Sequence, residues 1–210
     1  MTLAKIISEK FKKQFNETPL VVRSPGRVNM IGEHTDYNEG FVLPAAIDKE
    51  AIVAVSARDD NFCQIYSHNM EEAFEFSLSD FKKSEKGWPN YLMGVSEQLI
   101  KSEKELKGFN CVFGGNIPMG AGLSSSAALE CALAFALNEL FSLNLQNTDI
   151  VRLSQKAENE FVGVKCGIMD QFISVFGKKN SVLRLDCRSL EYQYYPFNFE
   201  HISILLFDTK

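Results

Sequence analysis

A polar segment between glycines, residues 26–40, concentrates the side chains most able to do chemistry in this 210-residue chain. It contains Arg27, Glu33, His34 and Asp36 and follows an apolar, strand-like stretch. A stiff loop with several strong hydrogen-bonding groups is typical of sites for a small polyhydroxylated or anionic ligand, because each sugar hydroxyl both donates and accepts. A solvated turn and a metal site are the alternative interpretations. The metal site is disfavoured because the other two histidines belong to no evident ligand cluster.

A second segment, residues 120–128, combines glycines with serines and leads into an apolar, helix-like run. Glycines let the backbone approach a ligand closely, and the unpaired N–H groups at the start of a helix attract anions. A helix start that is merely capped by serine is the alternative. The segment is not a Walker A loop, which requires a lysine, nor a dinucleotide fingerprint, because Ser125 stands at the third glycine position. The two segments together favour a small-molecule kinase.

Two carboxylates further along the chain are candidates for catalysis or metal binding. Asp170 lies among apolar neighbours in residues 167–172. Burial there would disfavour its ionised form unless a cation lies nearby, whereas an exposed aspartate at a helix start is the plain alternative. Glu158 is flanked by polar residues, and a solvated helix face explains it equally well. The local sequence leaves both assignments open.

Hydrophobic periodicity predicts the elements that must position these side chains. Helices are predicted over residues 3–15, 91–106, 123–140, 148–161 and 167–176, and strands over residues 20–23, 51–58, 62–67, 73–78, 109–113, 182–185 and 202–207. Thr148 is predicted as the N-cap of the fourth helix. Strands come mostly first and helices later without βαβ alternation, which favours an α+β fold. The last strand ends three residues before the chain does, so we expect a piece of a longer protein.

Composition narrows the class of protein. The net charge of -5 and the absence of a basic stripe give no reason to expect nucleic acid as a partner. The five cysteines form no C-x-x-C pair, which favours reduced thiols in a cytoplasm over disulfides or a zinc site. No signal peptide and no apolar run of the ~20 residues that span a bilayer are evident. We therefore expect a cytoplasmic protein that does not interact with a membrane.

The two segments resemble the motifs of a known enzyme family. Residues 26–44 are similar to the galactokinase signature, G-R-V-N-[LM]-I-G-E-H-T-D-Y-N-x-G-[FY]-V-L-P. Residues 118–127 are similar to the second motif of the GHMP kinases (galacto-, homoserine, mevalonate and phosphomevalonate kinases), P-x-G-A-G-L-S-S-S-A. The resemblance implies transfer of the γ-phosphoryl group of ATP to the C1 hydroxyl of galactose. It also implies a GHMP-kinase N-terminal domain over residues 1–210, with a mixed, mostly antiparallel sheet packed against helices.

The resemblance also implies roles for single residues. Asp170 would be the catalytic base and Arg27 would stabilise the developing charge. The sugar would be bound by Glu33, His34, Thr35, Asp36, Gly167 and Asp170. ATP would be bound by Ser67, Trp88, Gly120, Ala121, Gly122, Leu123, Ser124, Ser125 and Ser126. Mg²⁺ would be held by Ser126 and Glu158, a hydroxyl and a carboxylate that suit this hard cation.

The chain departs from the family in its length. Family members have a C-terminal domain with a third glycine-rich motif and a sugar-contacting tyrosine, and their site lies between the two domains. Neither feature is present in these 210 residues, so we expect the chain alone to be inactive or very weak. A kinase for N-acetylgalactosamine is one alternative. A non-catalytic galactose- and ATP-binding sensor is another, which the intact pair Ser126 and Ala127 disfavours.

Overall fold

The computed structural model describes residues 1–197, 204, 205 and 207. Its helices are α1 (Leu3–Phe15), α2 (Pro89–Lys101), α3 (Ser125–Phe141), α4 (Asn147–Lys156) and α5 (Met169–Phe176), with a π-helical segment at Ala157–Val162 directly after α4. Its strands are β1 (Leu20–Asn29), β2 (Phe41–Val42), β3 (Pro44–Ala57), β4 (Phe62–Ser67), β5 (Glu72–Ser77), β6 (Phe109–Gly115), β7 (Ser181–Asp186) and β8 (Tyr192–Pro196).

The strands form two sheets. The larger has the order β1-β3-β6-β4-β5, and all of its pairs are antiparallel except β4 with β6. The smaller has the order β2-β7-β8 and is antiparallel. This mixed, mostly antiparallel arrangement confirms the predicted α+β fold.

Helices cover both faces of the large sheet. Ile52 of β3 packs with Ile7 and Phe11 of α1 on one face. Val53, the next residue of β3, belongs to the core that the sheet shares with α2 and α3. Successive residues of a strand point to opposite faces, so a strand buried on both sides reads as the continuous apolar run that β3 has.

Helix α3 lies deep in the core. Ten of its 17 residues are buried. A helix with so few charged residues is stable only when other elements surround it. Phe172 of α5 and Leu183 of β7 belong to a second hydrophobic core.

Several boundaries differ from the prediction. Strand β1 continues to Asn29, so Arg27 belongs to a strand rather than to a loop. Helix α2 begins at Pro89 and ends at Lys101, not at residue 106. Thr148 is not an N-cap: Gln146 caps α4, in a reciprocal pair of hydrogen bonds with Asp149. The predicted fourth helix changes to π geometry after α4, and the strand predicted over residues 202–207 lies largely outside the described residues.

Candidate active site

Arg27 and Asp170 form the centre of the candidate site. Strand β1 has an irregularity between Pro25 and Arg27, and Asp170 is the second residue of α5. Arg27 Nε donates to Asp170 Oδ1 at 2.7 Å, and Nη2 donates to Oδ2 at 2.9 Å. Their side chains are only 14% and 24% exposed. Two parallel charge-assisted bonds fix the plane of the carboxylate.

The glycine- and serine-rich segment lies directly against this pair. Arg27 Nη1 donates to the carbonyl of Gly122, and the Arg27 backbone N–H donates to the carbonyl of Leu123 at 3.2 Å. Ser124 Oγ donates to Asp170 Oδ2 at 2.5 Å. Gly26 permits this approach, because a Cβ there would lie 2.7 Å from the Leu123 carbonyl oxygen. The segment is thus hydrogen-bonded to β1 and α5 together.

Asp36 reaches the same region from the loop between β1 and β2. Its carboxylate packs on Gly167, where a Cβ would lie 1.9 Å from Asp36 Oδ2. Burial is the main cause that raises the pKa of Asp36, and the charge of Asp170 adds to it. The Tyr37 backbone N–H and Arg27 oppose the rise in this pKa. The loop therefore brings a second carboxyl group close to the first.

The remaining loop residues lie further out and contact one another. Glu33 accepts a hydrogen bond from Asn29 Nδ2 at 2.7 Å. The exposed His34 ring contacts the Tyr37 hydroxyl through Nδ1. Thr35 Oγ1 lies 2.6 Å from the carbonyl oxygen of Gly32 and 2.8 Å from that of Phe41 in β2, so its hydroxyl shapes the loop. Sugar binding by Glu33, His34 and Thr35 stays a prediction.

A cavity of about 550 Å³ adjoins the glycine- and serine-rich segment. Of the residues predicted to bind ATP, it is lined by Ser67, Trp88, Gly120, Ser125 and Ser126. Ala121, Gly122, Leu123 and Ser124 do not line it. Gly120 and Gly122 have φ of +75° and +69°, and the space beside their Cα atoms is open. A cavity of this size suits a nucleotide-sized ligand.

Ser126 and Glu158 meet between α3 and the π-helical segment. The buried Glu158 carboxyl group accepts a hydrogen bond from Gln171 Nε2 at 2.8 Å. Burial is the main cause that raises the pKa of Glu158, and the Ser126 side chain acts to lower this pKa. Within the described residues no three acidic, histidine or cysteine side chains converge as a metal site. A hydroxyl with one carboxylate still fits Mg²⁺, because this ion usually keeps several waters and substrate phosphate oxygens as ligands.

Two family models match the chain. The galactokinase galactose-binding signature matches residues 9–57, and the GHMP kinases N terminal domain matches residues 90–178. A galactokinase from Thermosipho africanus is 47% identical over 189 residues, which cover 90% of this chain and 52% of the relative. The chain belongs to the galactokinase family of GHMP kinases.

Solved structures agree with this membership. A Lactococcus lactis galactokinase complexed with galactose is 39% identical to this galactokinase-family chain, with a TM-score of 0.88. The match covers 95% of this chain and 53% of the Lactococcus lactis galactokinase. Methanococcus jannaschii mevalonate kinase shares the fold, with 20% identity and a TM-score of 0.70. The match covers 87% of this chain and 57% of the mevalonate kinase. The chain spans about half the length of the galactokinases it matches.

Two features of this galactokinase-family site were not predicted from the sequence. One is the bond from Ser124 to Asp170, which no local pattern signals. The other is Glu130, which is 1% exposed and whose pKa is raised well above the usual value, first by burial and then by Glu158. Glu130 follows Ser126 by one helical turn and interrupts an otherwise apolar run, which is a signal that could have found it.

None of the described helices combines the length and the apolar character needed to cross a membrane.

Proposed function

We propose that this chain is the N-terminal domain of a galactokinase, which transfers the γ-phosphoryl group of ATP to the C1 hydroxyl of galactose. The observation that carries the proposal is the paired Arg27 and Asp170 beside the glycine- and serine-rich segment. A fixed carboxylate, held against a segment that borders a ligand-sized cavity, suits phosphoryl transfer to a hydroxyl, because this chemistry depends on positioning and charge stabilisation.

In the proposed reaction Asp170 accepts the proton of the C1 hydroxyl of galactose. The oxygen of that hydroxyl forms a bond to the γ-phosphorus at the same time. The bond from that phosphorus to the β-phosphate oxygen breaks, and ADP leaves. Arg27 holds the Asp170 carboxylate in place and balances negative charge that develops on the transferred group. The two bonds between the side chains, 2.7 and 2.9 Å long, support both roles.

Galactose would lie between the polar loop and Asp170. Asp36 and the Gly167 backbone adjoin Asp170 and supply acceptors for the hydroxyls of the sugar. Glu33, His34 and Thr35 would complete the binding of the sugar. Asn29 holds the Glu33 carboxylate, which supports a fixed role for that acceptor.

ATP would occupy the cavity of about 550 Å³, with its base toward Trp88 and Ser67. Residues 120–126 would contact the phosphates, because Gly120 and Gly122 leave their backbone open to a ligand. Ser126 and Glu158 would hold Mg²⁺, which neutralises phosphate charge when it is bound. All five cysteines lie in the described part of the chain and are free thiols, which supports a cytoplasmic enzyme.

A coupled assay of ADP release from Mg-ATP with a panel of sugars tests the proposal. It is run on this chain and on the full-length protein that contains it. We expect galactose-dependent ADP from the full-length protein and little or none from the chain alone, because a second domain completes the site. Faster turnover of N-acetylgalactosamine than of galactose would contradict the proposal that galactose is the substrate. Binding of galactose and ATP without ADP release would indicate a sensor.

A further inference from the structure

The hydroxyl of Ser124 is bound in a way that its place in the glycine- and serine-rich segment does not require. Ser124 stands at the N-cap position of α3, yet its side chain makes no capping bond. It donates instead to Asp170 Oδ2 at 2.5 Å, across 46 residues of sequence. Ser124 also does not line the cavity that Ser125 and Ser126 line. Its hydroxyl therefore bonds the carboxylate and does not line the space proposed for a nucleotide.

The backbone of Ser124 indicates that this orientation is held by its surroundings. Ser124 has φ 60° and ψ 47°, a left-handed conformation that costs free energy for any residue with a Cβ. Glycine adopts it freely and stands at Gly122, two residues earlier, with φ +69°. A serine in such a position is compensated by bonds that its hydroxyl makes, and here the bond is to Asp170.

The bonds of the ion pair form a closed arrangement around residues 122–124. Arg27 Nη1 donates to the carbonyl of Gly122, at one end of this tripeptide. Ser124 donates to Asp170 at the other end, and Arg27 and Asp170 bond to each other. Asp170 Oδ2 thus receives one donor from Arg27 at 2.9 Å and one from Ser124. These donors hold the carboxylate in a single orientation.

We propose that Ser124 is a positioning residue for Asp170, the base of the reaction, and not a ligand of the nucleotide phosphates. The inference rests on the proposed function. The Ser124 hydroxyl occupies one lone pair of Oδ2 and so directs the free lone pairs of the carboxylate to the hydroxyl of the sugar. Loss of the hydroxyl frees that lone pair of Oδ2 to accept the sugar hydroxyl in an unproductive position, which lowers the fraction of aligned complexes.

Two variants of the full-length protein separate the hydroxyl from the backbone. Ser124→Ala removes the hydroxyl but keeps the free-energy cost of the left-handed backbone conformation. Ser124→Gly removes both the hydroxyl and that cost. We expect kcat to fall about tenfold to a hundredfold in both, since a hydrogen bond to a charged group is lost. We expect KM for ATP to stay within about twofold of the wild type in both. The glycine variant should be the more stable of the two in urea.

Ser125→Ala is the matched comparison, because Ser125 is adjacent and lines the cavity. It should raise KM for ATP more than it lowers kcat. A double-mutant cycle of Ser124→Ala with Asp170→Asn, followed by urea unfolding, tests the bond without turnover, and we expect non-additive changes.

Three results would overturn the inference alone: wild-type kcat in Ser124→Gly, a raised KM for ATP with normal kcat in Ser124→Ala, or an additive cycle. A wild-type protein that consumes no ATP with any sugar would overturn the proposed function, and with it the role given to Ser124.

Discussion

The carboxylate of Asp36 lies against the Cα of Gly167, so closely that a Cβ on Gly167 would be 1.9 Å from Asp36 Oδ2. The contact joins the loop between β1 and β2 to the segment that leads into α5. Gly167 is therefore needed for space, since its φ lies outside the left-handed range that favours glycine. The position of Asp36 relative to Asp170 therefore requires a residue without a side chain at position 167.

Gly167→Ala is expected to displace Asp36 and weaken sugar binding. The added methyl group cannot share space with the carboxylate, so the loop must move. KM for galactose should rise at least about tenfold, in line with the loss of one hydrogen bond to a charged group, while KM for ATP changes little. Steady-state kinetics of the full-length protein measure both constants.

The double variant Gly167→Ala with Asp36→Ala separates crowding from binding. Removal of the Asp36 carboxylate makes room for the new methyl group, so the double variant should recover the stability that Gly167→Ala loses. It should not recover the affinity for galactose. Equal stability of the single and double variants in urea would contradict the crowding that the contact predicts.

Asp170→Asn is expected to abolish most of the turnover and to preserve binding. The amide cannot accept the proton of the sugar hydroxyl, and loss of a general base lowers rates by about 10²- to 10⁴-fold. Arg27→Lys should also lower kcat, because an ammonium group cannot keep both bonds to the carboxylate and the bond to the Gly122 carbonyl. Stopped assays of ADP and calorimetric titration with galactose measure the two effects.

Arg188→Lys is the matched control for Arg27→Lys. Arg188 pairs with Glu39 at 3.7 Å, and both side chains are more than two-thirds exposed, at 72% and 71%. Such pairs contribute little, so kcat should not change. A loss in Arg188→Lys as large as the loss in Arg27→Lys would show that the assay responds to any change of arginine.

Glu130→Gln is expected to flatten the dependence of stability on pH. Burial and the nearby Glu158 raise the pKa of Glu130 well above 4.5, its usual value. The native state therefore binds more protons than the unfolded state between that value and the raised pKa. The stability from Glu130 is fully present below about pH 4.5 and is lost as the pH rises through the raised pKa.

Urea unfolding of the wild type and Glu130→Gln between pH 4.5 and 8 measures this difference. The free energy of unfolding of the wild type should fall more steeply with rising pH than that of the variant, whose amide does not titrate. Parallel profiles would contradict the assignment of the pH dependence to Glu130.

Phe172→Ala is expected to destabilise the helix that carries Asp170. Phe172 is fully buried and stacks on Phe176, with ring centroids 4.5 Å apart. Removal of a buried phenyl ring leaves a cavity and costs about 3–5 kcal/mol. The control Phe135→Ala, at a residue that is 37% exposed on α3, should cost much less. Urea unfolding of both variants gives the comparison, and equal costs would argue against Phe172 as a core residue.

Local pattern predicted the helices better than the strands. The bounds predicted for α1 agree with the structure, because its apolar residues recur at helical spacing and Asn16 ends it in a left-handed conformation. Strand β1 was predicted too short. Three of residues 26–29 are glycine or polar and are typical of a loop, yet Arg27 pairs with Ala46 across the sheet. Pairing with β3 decides their conformation, and local composition does not report that pairing.

The sequence by itself determined the types of the site residues. Its motifs, through their resemblance to those of the galactokinases, singled out Arg27, Asp36, Gly167 and Asp170 as candidates. Composition and periodicity also determined the α+β class, since burial of apolar faces follows from local spacing.

Only the tertiary structure decided which of these residues meet. Arg27 and Asp170 are 143 positions apart, and their pairing depends on the packing of α5 against β1. The same packing brings Ser124 to Asp170 and Asp36 to Gly167. Contacts between distant residues are fixed by the shared core, whose shape no single segment encodes. The sequence therefore specified the chemistry of the site, and the fold specified its geometry.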